Sequence, residues 1–165
     1  MAIVYIGLGS NLADPRVQVE SGLRALAALP GTRVLRHSCL YQTAPWGKAD
    51  QPEFVNAVAQ IETALVPGAL LEGLLAIERS AGRERDATRW GPRVLDLDML
   101  VYGDVVLDAP GLHLPHPHLH ERAFVLMPLC EIAPGLDIPG RGRVETLMAG
   151  LDTSTCRALE PEHAA

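Results

Sequence analysis

Lysine is all but missing from this chain: Lys48 stands alone beside thirteen arginines. Phenylalanine occurs twice, as Phe54 and Phe124. The three cysteines, Cys39, Cys130 and Cys156, are odd in number, lie far apart and form no C-x-x-C pair. A disulfide scaffold is thereby excluded, and reduced thiols in a cytoplasmic protein are expected. No apolar run approaches the roughly 20 residues that a membrane helix needs. Met1 to Gly9 lacks a basic flank and breaks at Gly7, so it reads as a strand and not as a secretory signal. No stretch fits G-x-x-x-x-G-K-[ST], and Gly7-Leu8-Gly9 lacks the third glycine of a dinucleotide fingerprint. A nucleotide, if bound, would have to be held by arginine and metal. The net charge of −6 argues against a nucleic-acid partner, although a small site needs only a local positive field.

What is present suits one globular domain. The 165 residues can bury a proper core, and 48% hydrophobic with 21% charged residues is ordinary for a soluble fold. Ile3 to Leu8 reads as a strand. Asp14-Pro15 reads as an N-cap and first turn, followed by Val19, Leu23 and Leu26 at helical spacing, and Pro30-Gly31 ends the helix. Val34 to Gln42 reads as a second strand and Phe54 to Thr63 as a third. Pro67 opens a helix with Leu70, Leu74, Ile77 and Ala81 as its stripe and Gly82 as its C-cap. Val94 to Tyr102 is a fourth strand, which Gly103-Asp104 would turn into a hairpin with Val105 to Leu107. Glu121 to Ile132 reads as a further helix. The order predicts an α+β fold with a ferredoxin-like βαββαβ core, its antiparallel sheet carrying helices on one face, and a C-terminal helical extension. The domain is expected to span 1–150, with 151–165 as a polar tail.

The run Arg89-Trp90-Gly91-Pro92-Arg93-Val94-Leu95-Asp96-Leu97-Asp98-Met99 joins two opposite chemistries. Asp96 and Asp98, two apart in a strand, point to one face, with Leu95, Leu97, Met99 and Val101 on the other. Paired hard oxygen ligands suit Mg²⁺ held jointly with substrate phosphates. Arginine reads phosphate oxygens, and five arginines fall between Arg79 and Arg93. A solvated, salt-bridged strand face is the competing reading. Two long connections, Thr43 to Pro52 and Gly82 to Pro92, read as binding loops, the second as an arginine-rich lid. His113, His116, His118 and His120 could mark a zinc site, but their spacing among Pro115 and Pro117 matches no common zinc signature. Contact of one or two with a nucleotide is the alternative, as is plain surface. Phe54 and Phe124 are either core aromatics or two faces that sandwich a flat ring.

Taken in order, Gly9-Ser10-Asn11-Leu12, Tyr41-Gln42-Thr43-Ala44-Pro45, Gln51-Pro52-Glu53-Phe54-Val55-Asn56-Ala57, Ile77-Glu78, Gly82-Arg83-Glu84-Arg85, the Arg-Trp-Gly-Pro-Arg to Asp-Leu-Asp block, Leu114-Pro115-His116 and Arg122-Ala123-Phe124 form a recognisable set. The chain resembles the 6-hydroxymethyl-7,8-dihydropterin pyrophosphokinases of folate biosynthesis to about Pro134. The resemblance implies transfer of pyrophosphate from ATP to the pterin hydroxymethyl group, with AMP released and two Mg²⁺ ions assisting. It implies Asp96 and Asp98 as metal ligands and Arg83 and Arg93 as the residues that stabilise the phosphates. Glu78, Arg85, Trp90, Arg93, His116 and Arg122 would surround ATP. Thr43, Pro45, Gly47 and Asn56 would form the pterin pocket, with Phe54 and Phe124 stacked on the ring. Phe54, Leu75 and Pro117 stand where some members carry Tyr, Gln and Tyr. A cytoplasmic monomer without nucleic-acid or membrane partners is expected. The rival readings are a non-catalytic ferredoxin-like module that binds metal or nucleotide, and a zinc hydrolase.

Overall fold

Alternation of apolar and small residues builds the central strand, β1 (Ala2–Ser10), in the computed structural model, which describes residues 1–11, 14–43, 54–82 and 94–159. It is followed by α1 (Pro15–Ala27), β2 (Thr32–His37), β3 (Tyr41–Thr43), β4 (Phe54–Thr63), α2 (Pro67–Gly82) and β5 (Asp96–Tyr102). Pro15 opens α1, where its missing N–H removes no helical bond. Asp14 occupies the N-cap with φ 62°, yet its side chain makes no capping bond. Gly82 is the last residue assigned to α2 and not a residue past its end.

β1 lies between β4 and β5, antiparallel to both. β2 and β3 share the far edge of β4, at opposite ends of that long strand. Counting β2 and β3 as one interrupted strand, the sheet has the spatial order and direction of the ferredoxin-like fold, as the element order predicts. The single strand expected over 34–42 is broken at 38–40 by a serine. Buried Ser38 donates its N–H to the Val58 carbonyl at 2.9 Å, while its Oγ accepts the Val58 N–H at 3.0 Å. A side chain thus takes one rung of the ladder and turns the strand.

The sheet is buried on both faces. On one, Val4, Ile6, Leu8, Ala57, Ala59, Ile61, Leu97 and Met99 pack against Val19 and Leu26 of α1 and Leu70 and Leu74 of α2. On the other, Tyr5, Val58, Leu100 and Val101 pack under α3 (Ala123–Ile132) and α4 (Val144–Ala149) through Val125, Leu126, Leu129 and Val144. The C-terminal extension therefore covers much of the face opposite α1 and α2, where the sequence order predicts helices on one face only. Val101 belongs to this second core, contrary to strict alternation. A bulge lets Tyr5 pair with Val101 and Ile6 with Met99, so Leu100 is inserted and the later residues change sides.

The hairpin expected after Gly103 does not form. Gly103, at φ 54°, only turns the chain, and the pairing falls to β6 (Leu107–Ala109) and β7 (Leu112–Leu114), joined across Pro110 and Gly111. Gly111 has φ 78°, and proline followed by such a glycine is strong turn chemistry. A two-stranded ribbon, β8 (Asp137–Ile138) with β9 (Gly142–Arg143), precedes α4. The last strand, β10 (Cys156–Ala158), comes from the segment read as a polar tail and pairs with β3. No helix among the described residues is long and apolar enough to cross a membrane.

Candidate active site

Gly7 and Gly9 are the floor of the site. They face away from α1 and α2, and the lack of side chains leaves a hollow over β1. Asp98 lies across from Gly7 and Asp96 across from Gly9 on β5. On the other side of the floor, Asn56 of β4 lies across from Gly9 and Tyr41 of β3 across from Asn56. The next row holds Phe54, Thr43 and Cys156. The antiparallel pairing thus sets these residues in rows on one face. Asp96 and Asp98 are ~7 Å apart along their strand, at ~3.4 Å per residue. Asp96 and Asn56 are ~10 Å apart across two strand spacings.

A cleft of roughly 890 Å³ opens over this floor. Thr43, Phe54, Asn56, Asp96, Asp98, Arg122 and Phe124 all line it, seven residues named from sequence. Neither phenylalanine is a closed core residue. Phe54 is 38% exposed, and Phe124 is half-buried against the second core with the Arg122 guanidinium 5.7 Å from its ring centre. Both keep surface available to a flat ligand, and the cation sits at the distance of a ring contact.

Glu78 and His116 do not line this cleft. They sit along the outer edge of β5, where unpaired main-chain groups would otherwise face water. The Glu78 carboxylate accepts the Leu97 N–H at 2.7 Å, and the His116 N–H donates to the Leu100 carbonyl at 2.8 Å. The His116 ring is fixed in turn: its Nδ1 accepts the His118 N–H at 3.1 Å, so a neutral ring carries its proton on Nε2. Burial draws the His116 pKa down to about 4, and the positive charges of Arg122 and His118 act in the same direction, against Asp96. His116 is therefore a neutral N–H donor at physiological pH.

The histidine segment forms no metal cage. His113 pairs with Asp108 and His118 with Glu121, both on the surface, and no three His, Cys, Asp or Glu among the described residues are grouped to hold an ion. Of the residues named from sequence, Pro45, Gly47, Arg83, Arg85, Trp90 and Arg93 lie outside the described residues. The reading of Gly82 to Pro92 as a lid falls there too, apart from Gly82 itself.

Among the cleft residues that had no role in the sequence reading are Asn11, Asp152 and Cys156. Asn11 is 3% exposed, and its Oδ1 has no hydrogen-bond partner among the described residues. It lines the cleft, and its only signal was its place in the Gly9-Ser10-Asn11-Leu12 block. Asp152 and Cys156 line it from beyond residue 150, where local pattern gave no signal.

The fold and site define a ferredoxin-like α+β protein with an acidic pair at one end of a substrate-sized cleft. The family model described as 7,8-dihydro-6-hydroxymethylpterin-pyrophosphokinase matches residues 5–134, and the chain belongs to that family. It is 51% identical over 146 residues to a 2-amino-4-hydroxy-6-hydroxymethyldihydropteridine pyrophosphokinase of Pseudomonas aeruginosa, covering 88% of this chain and 90% of that one. A protein of the same name from Methylorubrum extorquens is 46% identical over 160 residues, covering 97% and 100%. Among solved structures, Plasmodium falciparum HPPK-DHPS with SDX-DHP superposes with a TM-score of 0.68 at 14% identity. That match covers 90% of this chain and 43% of the other, so this chain spans under half of that protein, and the likeness concerns the fold alone.

Proposed function

We propose that this protein transfers the terminal pyrophosphoryl group of ATP to the hydroxymethyl oxygen of 6-hydroxymethyl-7,8-dihydropterin, giving AMP and the pterin diphosphate, as a step of folate biosynthesis. The observation that carries the reading is the order of groups across the sheet. Thr43, Phe54 and Asn56 stand on β3 and β4, the glycine floor lies on β1, and the acidic pair lies on β5. Glu78 and His116 follow at the outer edge of β5. A flat heterocycle at one end and a nucleotide at the other would meet over Asp96 and Asp98.

Thr43, Asn56, Pro45 and Gly47 hold the pterin in this reading, with Phe54 and Phe124 against its faces. Stacking of this kind contributes about 0.5–1.5 kcal/mol beyond burial. Glu78, Arg85, Trp90, Arg93, His116 and Arg122 hold ATP, His116 through its Nε2–H. The pterin oxygen bonds to the β-phosphorus, the bond from that phosphorus to the α–β bridging oxygen breaks with its electron pair left on AMP, and the hydroxyl proton passes to water. Holding the attacking and leaving oxygens in line is the main task, and Arg83 and Arg93 offset the charge that spreads over the phosphoryl oxygens.

The residues present fit two Mg²⁺ ions. Among the described residues, the cleft is lined by Asp96, Asp98, Glu121 and Asp152 against the single guanidinium of Arg122. Phosphate oxygens brought against the Asp96 and Asp98 carboxylates need cations between them. Mg²⁺ needs only one or two protein carboxylates when phosphate and water supply the remaining oxygens, so the absence of a three-residue cage among the described residues is no obstacle. Asp96 and Asp98 would hold the ions, which when bound supply charge neutralisation at the transferred group. A cytoplasmic monomer acting without nucleic-acid or membrane partners completes the reading.

The test is AMP release from ATP in the presence of Mg²⁺, with and without 6-hydroxymethyl-7,8-dihydropterin. Release that depends on both pterin and Mg²⁺ supports the assignment. Pterin-independent hydrolysis, or none, overturns it.

A further inference from the structure

The wall of the cleft beside Thr43 is built from residues beyond the 5–134 span that matches the family model. β10 pairs antiparallel with β3, Cys156 opposite Thr43, and both side chains line the cleft. They are almost closed to solvent, Thr43 at 5% and Cys156 at 8% exposure. Thr43 Oγ1 lies 3.8 Å from Cys156 Sγ and donates to it, while Asn56 Nδ2 donates to the same Oγ1 at 3.5 Å.

A hydroxyl has one proton and two lone pairs. Here the proton is directed at sulfur and one lone pair receives the Asn56 amide. What Thr43 can still offer a ligand is one lone pair. Asn56 is oriented by the same contact. With its Nδ2 turned to Thr43, its Oδ1 lies over Gly9, where a Cβ would stand 2.6 Å away. Among the described residues here, Thr43 and Asn56 thus each present an acceptor, Thr43 with no proton left to donate and Asn56 with one further Nδ2–H. The part of a heterocycle edge that answers Thr43 carries an N–H donor, such as an exocyclic amine, and not a carbonyl.

We propose that Cys156 is a positioning residue that fixes the Thr43 hydroxyl as a hydrogen-bond acceptor and so selects an amino-bearing edge of the pterin ring. The proposal rests on the pterin reading above and adds a specificity determinant from the C-terminal strand. Without the sulfur, the Thr43 hydroxyl turns freely and can donate, and a carbonyl edge is then tolerated.

Calorimetry on the full chain measures the affinity of 6-hydroxymethylpterin and of its lumazine counterpart, in which a 2-oxo group replaces the 2-amino group. The natural chain is expected to prefer the pterin. Cys156→Ala should narrow that preference about 3–10-fold, the scale of one hydrogen bond. Cys156→Ser, which restores an acceptor, should recover it. In a Thr43→Val background, Cys156→Ala should change the ratio little, because the group through which it acts is gone. An equal loss of affinity for both ligands in Cys156→Ala, or the same change in the Thr43→Val background, overturns the proposal and leaves Cys156 a packing residue. Should Cys156→Ala fail to fold, a ratio in Cys156→Ser matching that of Thr43→Val does the same. Failure of pterin-dependent AMP release would overturn the pyrophosphokinase reading alone, since the affinity ratio is read without turnover.

Discussion

Gly9 lies directly across the sheet from Asp96, and a methyl group at Gly9 would stand 2.6 Å from the Oδ1 of Asn56 on the opposite side. The backbone of Gly9 is ordinary extended strand, so an alanine there is not strained. What must give is the end of the Asn56 side chain, which can rotate. Gly9→Ala is therefore expected to fold with little loss of stability while turning Asn56 away from Thr43. Pterin affinity should fall about tenfold or more, the scale of one or two lost hydrogen bonds. Thermal melts and pterin calorimetry separate the two effects. A large fall in melting temperature with pterin affinity intact would show that Gly9 serves packing.

Asp96 and Asp98 carry the next prediction. Their partners across the strand pair are the side-chain-free Gly9 and Gly7, so shortening either carboxylate leaves no void in the core. Asp96→Asn and Asp98→Asn keep the size of the side chain and should still fold cooperatively, which thermal melts check. Turnover should fall by several kcal/mol of transition-state stabilisation, roughly 10³-fold. Near-normal pterin-dependent AMP release by either variant at millimolar Mg²⁺ would remove that residue from the metal site.

Local chemistry made much of this legible. The alternation in Phe54 to Thr63 fixes which side chains of β4 face the cleft, and the Asp-Leu-Asp spacing puts both acids on one face wherever the strand lands. The parts that sequence missed depend on contacts between distant residues. Ser38 looks like any strand residue until its hydroxyl is seen taking the Val58 N–H, twenty positions away. Gly103-Asp104 is a fair hairpin signal, yet the outer edge of β5 is already claimed by Glu78 and by the His116 main chain. The pairing then goes to Pro110-Gly111, whose turn chemistry is stronger. The segment after Gly150 has too few apolar residues to signal a strand. Cys156 to Ala158 becomes one because β3 offers an edge.

His116 gives the site a pH signature. Its folded pKa is held near 4 against an ordinary value of 6.5, so the native protein keeps it neutral where the unfolded chain has begun to bind a proton. Its contribution to stability is present above about pH 6.5. It is lost progressively as pH falls towards 4, because the unfolded state binds more protons there. His116→Gln should remove that part of the slope, so that variant and natural chain differ less in urea stability at pH 4.5 than at pH 7. A constant difference across the range would show that His116 titrates normally. The pH profile of turnover should likewise show no ionisation of this ring near 6.5, since its Nε2–H donor persists from pH 5 to 8.

Glu131 holds the end of α3 to the broken strand, and it is the residue whose loss should loosen the pterin end of the cleft from behind. Its carboxylate accepts the Tyr41 hydroxyl at 2.7 Å and the Cys39 N–H at 3.1 Å, the partners lying 90 and 92 residues away in sequence. Burial and the nearby carboxylate push the Tyr41 phenol well above its ordinary range, so the bond survives at any physiological pH. Tyr41 pairs with Asn56, and its strand carries Thr43 two residues on. Glu131→Ala leaves the largely buried phenol and an amide without an acceptor, a cost of about 1–3 kcal/mol. Tyr41→Phe, which removes donor and demand together, should cost less. The double variant should cost clearly less than the sum, because in the Tyr41→Phe background removal of Glu131 orphans only the Cys39 N–H. Strict additivity in urea melts would mean that no energy passes between the two residues. If the clamp sets the strand, Glu131→Ala should also raise the KM for pterin while leaving that for ATP near its natural value, since the nucleotide end is built on β5 and not on β3.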